Sequence, residues 1–513
     1  MEKHLKENID FPFCITLAAI LLTTKVRISL LAIPLERDEG GFSYIGRHLF
    51  SERLYTDLHD NKLPGLYGLY ALFIRLFGYT PEGIHTGLML CNAIAIWLIY
   101  RLFSNIFNKW TGTVSAIIFA LTSLSVNVNG FAAHANQLLM PFALGGLVVL
   151  HKGLLNNRLF YFGLAGLLLG LALTIKQQAV LYGVFSGVWI LWTRIQMRAD
   201  VKQITRDMIV FSMGAILPFT TICAYFLLVD RLDDFWLCTV ELPAQLGNAP
   251  NLGDRFNLFR FYFSKVTRYL EPVWIMAAAG WVVLSFMAFS REARAFGILF
   301  PVFCAASVLI GVAYYPHYFV LCLPAVSLLV GVMTDAMRRS VAGIRGNICT
   351  AAILFLLVSF PVINNKWYYY KPDFHKIHLD SYGANRFTEM QEIGKELKQQ
   401  TLWGERIGIL GSEPEILVVA EREAASRHLF LYNLFSQGPK SALLQQQYLN
   451  DLKTSRPNYL VRVLAEDSWG SNYQETSFFK EVLAYVEANY TLYKQYEGIM
   501  PEEKPILIYK KRE

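Results

Sequence analysis

Apolar runs of spanning length recur from Phe11 to about Ile363 in a chain of 513 residues, and this feature most constrains the fold. The hydrocarbon core of a bilayer takes about 20 apolar helical residues per crossing. Lipid offers backbone groups no hydrogen bonds, so each such run has to satisfy its own as a helix. Read at that length, the spans centre near 11–32, 83–104, 110–128, 137–151, 158–174, 178–193, 207–229, 271–289, 295–313, 317–336 and 347–364. The expected fold class is an α-helical polytopic membrane protein of about eleven transmembrane helices. Residues 365–513 instead carry charges every few positions. We therefore expect a transmembrane domain over 1–364 and a soluble C-terminal domain over 365–513.

Composition sharpens the class. At 54% hydrophobic and 17% charged residues, the chain is too apolar for a soluble globular protein. The formal charge of +7 does not mark a nucleic-acid surface, because the basic residues lie between the apolar runs rather than in one patch. Eleven spans place the termini on opposite sides. One set of loops holds Lys109, Lys152, Arg158, Arg194, Arg198, Lys202, Arg206, Arg291, Arg294, Arg338, Arg339 and Arg345, whereas the short loops opposite hold only Lys176. The positive-inside bias then sets the N-terminus in the cytoplasm and the C-terminal domain outside the cell (inner or plasma) membrane. Lys3 and Lys6 precede the first span without a small-residue cleavage pattern, so that span reads as retained. The seven cysteines fall almost entirely in apolar runs, which predicts neither a disulfide framework nor a zinc site.

The first outer loop, 34–81, is the most organised. Phe42, Ile45 and Leu49 recur at helical spacing over 38–50, with Asp38 near the start. A second amphipathic stretch runs from Pro64 to before Gly78, with Leu66, Leu69, Tyr70, Phe73 and Phe77 on one face. At 1.5 Å per residue it reaches about 21 Å, too short to span, so it is expected to lie among lipid headgroups. A longer outer loop, 230–270, mixes aromatics with Asp233, Asp234, Glu241 and Arg255. In the C-terminal domain, strands are expected at 406–411, 429–432, 459–463 and 506–509, and helices at 415–421, 441–454 and 478–490. That alternation predicts an α/β domain.

Several residues have the chemistry for a site. Asp38 and Glu39 are adjacent acids beyond the first span, preceded by Arg37 and followed by Gly40-Gly41. A carboxylate at a helix start is stabilised by the dipole and available to accept a proton, or serves only as the cap. Lys62-Leu63-Pro64-Gly65 opens the interfacial helix, so an ammonium and free backbone N–H groups face one region, an arrangement that suits an anionic phosphate. The plainer alternative is a lysine reaching the headgroups. His134-Ala135-Asn136-Gln137, Lys176-Gln177-Gln178 and His317-Tyr318 sit at the outer ends of spans, where polar groups face a cavity or pack between helices. Lys176, alone among the short outer loops, calls for an acid or a phosphate.

Taken in order, these motifs resemble the integral-membrane glycosyltransferases of the GT-C fold, in the branch of protein O-mannosyltransferases and aminoarabinose-lipid A transferases. The matching pieces are Arg37-Asp38-Glu39 with Tyr44, Asn61-Lys62-Leu63-Pro64, 133–137, the 170–176 segment GLALTIK, and His317-Tyr318-Phe319 with Pro324. Leu63 stands where the family often has a proline, and Gln137 where it often has an acid. The resemblance implies transfer of a sugar from a polyprenyl-phosphate donor to an extracytoplasmic hydroxyl of a lipid, glycan or protein, for example in lipid A modification of the cell envelope. It implies Asp38 as general base, Lys62 and Lys176 as donor-phosphate contacts, and inversion at the sugar. Arg37, Glu39, Tyr44, His134, Gln137, His317 and Tyr318 would shape the sugar and acceptor pocket. An Asp-Glu pair is able to hold a divalent cation, but relatives need no catalytic metal, and neither a metal nor another cofactor is expected. Expected partners are the lipid-linked donor, the acceptor and membrane lipids.

A transporter or flippase of a lipid-linked glycan would also use spans with buried polar residues, but no repeat of spans with matched broken helices is present. A membrane sensor or scaffold would leave Asp38 and Lys62 without a purpose.

Overall fold

The computed structural model describes residues 11–246, 252–341, 343–383, 385–435, 440–470, 473–498 and 503–513. Lys3 and Lys6 lie outside the described residues. All eleven segments expected to span are helical. Among the described residues, 7 helices are long and apolar enough to cross a membrane: Phe11–Leu30, Pro81–Ile106, Ala135–Asn156, Val201–Leu228, Arg291–Leu309, Pro316–Ser340 and Ile344–Asn364. Leu159–Ile175 and Glu271–Val283 are apolar but shorter.

Contacts divide the chain into two compact units that do not follow sequence order. The first takes the described residues of 1–30, 87–222 and 250–372; the second takes 31–86, 223–249 and 373–513. In the first unit, Pro316–Ser340 is the central helix, buried over nearly its whole length. Glycines let its neighbours approach closely. A Cβ on Gly280 would stand 2.0 Å from the Leu329 carbonyl oxygen, and one on Gly214 would stand 2.2 Å from that of Gly163. Without a hydrophobic force between helices in lipid, such small-residue crossings supply the packing. Buried charges are hydrogen-bonded or paired: Arg27 donates to the Gly130 carbonyl at 2.9 Å and to Asn92 Oδ1 at 3.2 Å, and Arg194 meets Asp207 at 2.7 Å.

The second unit is built on a five-stranded sheet. Its strands are β1 (Arg406–Leu410), β2 (Glu423–Ala424), β3 (Tyr459–Val463), β4 (Tyr490–Tyr496) and β5 (Ile506–Lys511), in the order β2-β1-β3-β5-β4. β2, β1 and β3 run parallel, whereas β5 and β4 are antiparallel. Leu444, Tyr448, Leu452, Leu460, Trp469 and Phe479 form its core.

Two expectations here are corrected. The strand expected at 429–432 is not formed, and Leu431–Phe435 is a 3₁₀ turn. Ser412 Oγ accepts the backbone N–H groups of Leu431 and Tyr432 at 2.8 and 3.3 Å, which removes donors that a ladder needs. The strand β4 was not anticipated because its residues, YTLYKQY, are mostly exposed and show no apolar alternation.

In the same unit the expected loop helices form as Arg37–His48 and Pro64–Phe77. They pack through Phe42 and Tyr70, whose rings meet edge-on at 5.6 Å. Leu66, Tyr67, Tyr70 and Phe73 are buried, while Leu72 and Leu76 stay exposed.

Candidate functional site

The candidate residues fall into two groups, one in each unit. In the second unit the Arg37–His48 helix carries four of them. Its cap is Glu36, not Asp38: Glu36 Oε1 accepts the Glu39 N–H at 2.9 Å and Glu39 Oε2 accepts the Glu36 N–H at 3.3 Å, a reciprocal capping box. Burial, and next the charges of Asp38 and Glu39, push the Glu36 carboxyl well above its usual range. Glu39 is further occupied, since its Oε1 lies 3.1 Å from His85 Nε2 while His85 Nδ1 gives its proton to the Leu31 carbonyl at 2.8 Å. Both ring nitrogens face oxygen acceptors, so the His85–Glu39 pair holds a second proton between its partners.

Arg37 points into the C-terminal part of the unit. It donates to Glu413 Oε1 at 2.9 Å, Asn385 Oδ1 at 3.0 Å and the Asp467 carbonyl at 3.1 Å. Burial works against its charge, but Glu413 and then Glu415 hold the guanidinium above its ordinary pKa. Tyr44 accepts the Ala424 N–H at 2.8 Å, tying the helix to β2. At Gly40 the helix approaches the backbone of Glu415 closely, for a Cβ there would stand 2.5 Å from the Glu415 nitrogen.

Asp38 is left over. Its side chain is half-buried, and among the described residues its carboxylate makes no hydrogen bond or ion pair. One of its oxygens lies within 4.8 Å of one from Glu36. Asp38 and Phe42 are one turn apart on the same helix face, and the Lys62 ammonium stands 5.7 Å from the centre of the Phe42 ring. The cation therefore stands over the ring one turn beyond Asp38. Lys62 also donates to Asn61 Oδ1, and its own carbonyl accepts the Tyr55 hydroxyl at 2.6 Å. Below it is Asp60, buried, accepting the Tyr67 hydroxyl at 2.7 Å. Burial raises the Asp60 pKa, and the Lys62 charge opposes that rise.

In the first unit, His134, Lys176, His317 and Tyr318 come together. The imidazoles of His134 and His317 stack at 3.9 Å with planes 15° apart. Lys176 sits where the Leu159–Ile175 helix ends, its Nζ donating to Asn136 Oδ1 at 2.8 Å and lying 4.1 Å from the Tyr318 ring centre. Gln137 serves another purpose, its amide donating to the Ser123 carbonyl at 2.7 Å. The cluster offers a lysine charge, an amide and aromatic faces, which together suit a phosphate and a sugar ring.

Glu36, Asp60 and His85 were missed. The spacing of Glu36 and Glu39 is a readable capping box with Glu in place of Ser or Thr. His85 carried no signal, because a lone histidine entering an apolar span has no local partner.

These features define a polytopic membrane protein of the GT-C glycosyltransferase fold. Residues 62–222 match the family model described as dolichyl-phosphate-mannose-protein mannosyltransferase, a segment that opens at Lys62 and holds His134, Gln137 and Lys176. Among solved structures, the chain is similar to ArnT from Cupriavidus metallidurans bound to undecaprenyl phosphate. That match has 11% identity and a TM-score of 0.61, covering 97% of each chain. It is also similar to the oligosaccharyltransferase AglB from Archaeoglobus fulgidus, in complex with an inhibitory peptide and a dolichol-phosphate. Here the identity is 12% and the TM-score 0.53, over 97% of this chain and 74% of that one. Identities of this size speak for the fold. No curated protein matches the sequence.

Proposed function

We propose that the chain transfers a sugar from a polyprenyl-phosphate donor to an extracytoplasmic hydroxyl of a lipid, glycan or protein, with Asp38 as the base. Two observations carry this reading: among the described residues the Asp38 carboxylate makes no hydrogen bond or ion pair, and the Lys62 ammonium stands over Phe42, one turn along the same helix. Fold likeness to ArnT and AglB, whose structures hold undecaprenyl phosphate and a dolichol-phosphate, supports a lipid-phosphate donor.

Asp38 takes the proton of the acceptor hydroxyl as its oxygen bonds to the anomeric carbon. The bond from that carbon to the phosphate oxygen breaks, and the electron pair leaves with the lipid phosphate. Lys62 and Lys176 meet the charge that the phosphate gains. A single displacement inverts the anomeric centre. Glu39 and Arg37 are held by His85 and Glu413, so they position the helix bearing Asp38. His134, His317 and Tyr318 supply surfaces for sugar or acceptor, with Tyr44 and Gln137 buttressing the backbone. The positive-inside distribution supports a cell-membrane protein with its N-terminus in the cytoplasm and residues 365–513 outside.

The test is transfer of labelled sugar from polyprenyl phosphate in membranes. Asp38→Asn is expected to lower the rate by about 10²–10⁴ while donor binding is retained. A wild-type rate for this variant removes Asp38 from the reaction. Mass spectrometry of envelope glycolipids and glycoproteins, with and without the chain, identifies the molecule that loses one sugar.

A further inference from the structure

Away from the proposed reaction centre, the second unit gathers one histidine and two acids from three separate elements. His375 lies on the helix Phe374–Tyr382, Glu389 in the first turn of Phe387–Gln400, and Glu503 just before β5. One donor atom from each lies within 4.8 Å of the others. Glu389 and Glu503 are both 7% exposed.

Glu389 is under-served by the cation beside it. Arg386 spends its Nη1 and Nη2 on the backbone carbonyls of Tyr496, Glu497 and Lys504. Only its Nε faces the carboxylates, at 3.4 Å from Glu389 Oε1 and 3.9 Å from Glu503 Oε2. Among the described residues, Glu389 Oε2 is buried and has no hydrogen-bond partner. A buried carboxylate oxygen without a donor costs free energy that a bound cation returns.

From this geometry we propose that His375, Glu389 and Glu503 form a binding site for one divalent first-row metal ion. One imidazole with two carboxylates fits Zn²⁺, which takes three protein ligands plus water at about 2.0–2.2 Å. Mg²⁺ and Ca²⁺ select oxygen donors and are disfavoured by the imidazole. Donor atoms at those bond lengths stand roughly 3–3.5 Å apart in a tetrahedral site, so binding would draw the three side chains together from their present spacing of up to 4.8 Å. The metal is structural. It ties both helices to the approach of β5, next to Asn385, which holds Arg37.

The test uses the full chain in detergent, stripped with chelator and dialysed. Zn²⁺ titration by calorimetry with metal analysis is expected to show one ion bound per chain and a raised thermal unfolding temperature. His375→Ala and Glu389→Gln are each expected to weaken Zn²⁺ binding at least tenfold, and Mg²⁺ is expected not to compete. Should a variant fold poorly, X-ray absorption of the Zn²⁺-loaded wild type decides, with one nitrogen and the remainder oxygen expected. Uptake well below one ion, equal uptake by the variants, or sulfur in the metal's shell overturns the site.

Discussion

Replacing Arg37 distinguishes a residue that touches substrate from one that holds a helix in place. Its guanidinium makes three hydrogen bonds of 2.9–3.1 Å, and the side chain of its partner Glu413 is 2% exposed. Arg37→Ala leaves that carboxylate buried without its cation, a change that costs about 3–5 kcal/mol in comparable pairs. Glu413 keeps two donors, the Ser412 N–H and the Ser468 hydroxyl at 2.8 Å, so we expect the lower end, about 3 kcal/mol. For a unit of this size that lowers the melting temperature by about 6–12 °C. Trp469, buried in the same unit, reports the transition by fluorescence. In a Glu413→Gln background the same replacement is expected to cost less by about 2 kcal/mol, the coupling of the pair. An unchanged transition together with lost donor affinity would refute this account and return Arg37 to the sugar pocket.

Gly40→Ala places a methyl group 2.5 Å from the Glu415 backbone nitrogen, so a loss of about 1–3 kcal/mol or more is expected, read as a lower melting temperature; a wild-type melt would contradict the close approach. Acid should weaken the second unit through His59, whose pKa burial and then Arg427 hold at about 4. The unfolded chain takes up that proton below about 6.5, so stability falls as pH drops from there to about 4, then levels, by on the order of 3 kcal/mol. In His59→Gln this part of the slope disappears from denaturant titrations; an unaltered slope would assign it to other groups. Lys176→Met removes the ammonium at Asn136 and Tyr318, and polyprenyl phosphate is expected to bind about 10–100-fold more weakly in direct titration; unaltered affinity would take Lys176 out of the donor site.

Local physics made the membrane helices legible, because backbone groups in lipid have to be satisfied within each apolar run. The short helix beginning at Pro64 was readable for the same reason, being apolar on one face and too short to cross. Asp38, Lys62 and Lys176 could be picked out because charge at the end of a span needs a purpose. Their partners could not be picked out. Glu413 is 376 positions from Arg37 and His85 is 46 from Glu39, and no periodicity links residues at such distances. The sequence by itself therefore determined the polytopic class, the helical segments and the chemistry available in the outer loops. Only the tertiary structure joined 31–86 and 223–249 to the C-terminal sheet in one unit. It also committed Arg37 and Glu39 to partners, while among the described residues the Asp38 carboxylate makes no hydrogen bond or ion pair. The physical reason is that burial and pairing decide which of three adjacent charged residues stays available for reaction, and both depend on contacts between segments far apart in the chain.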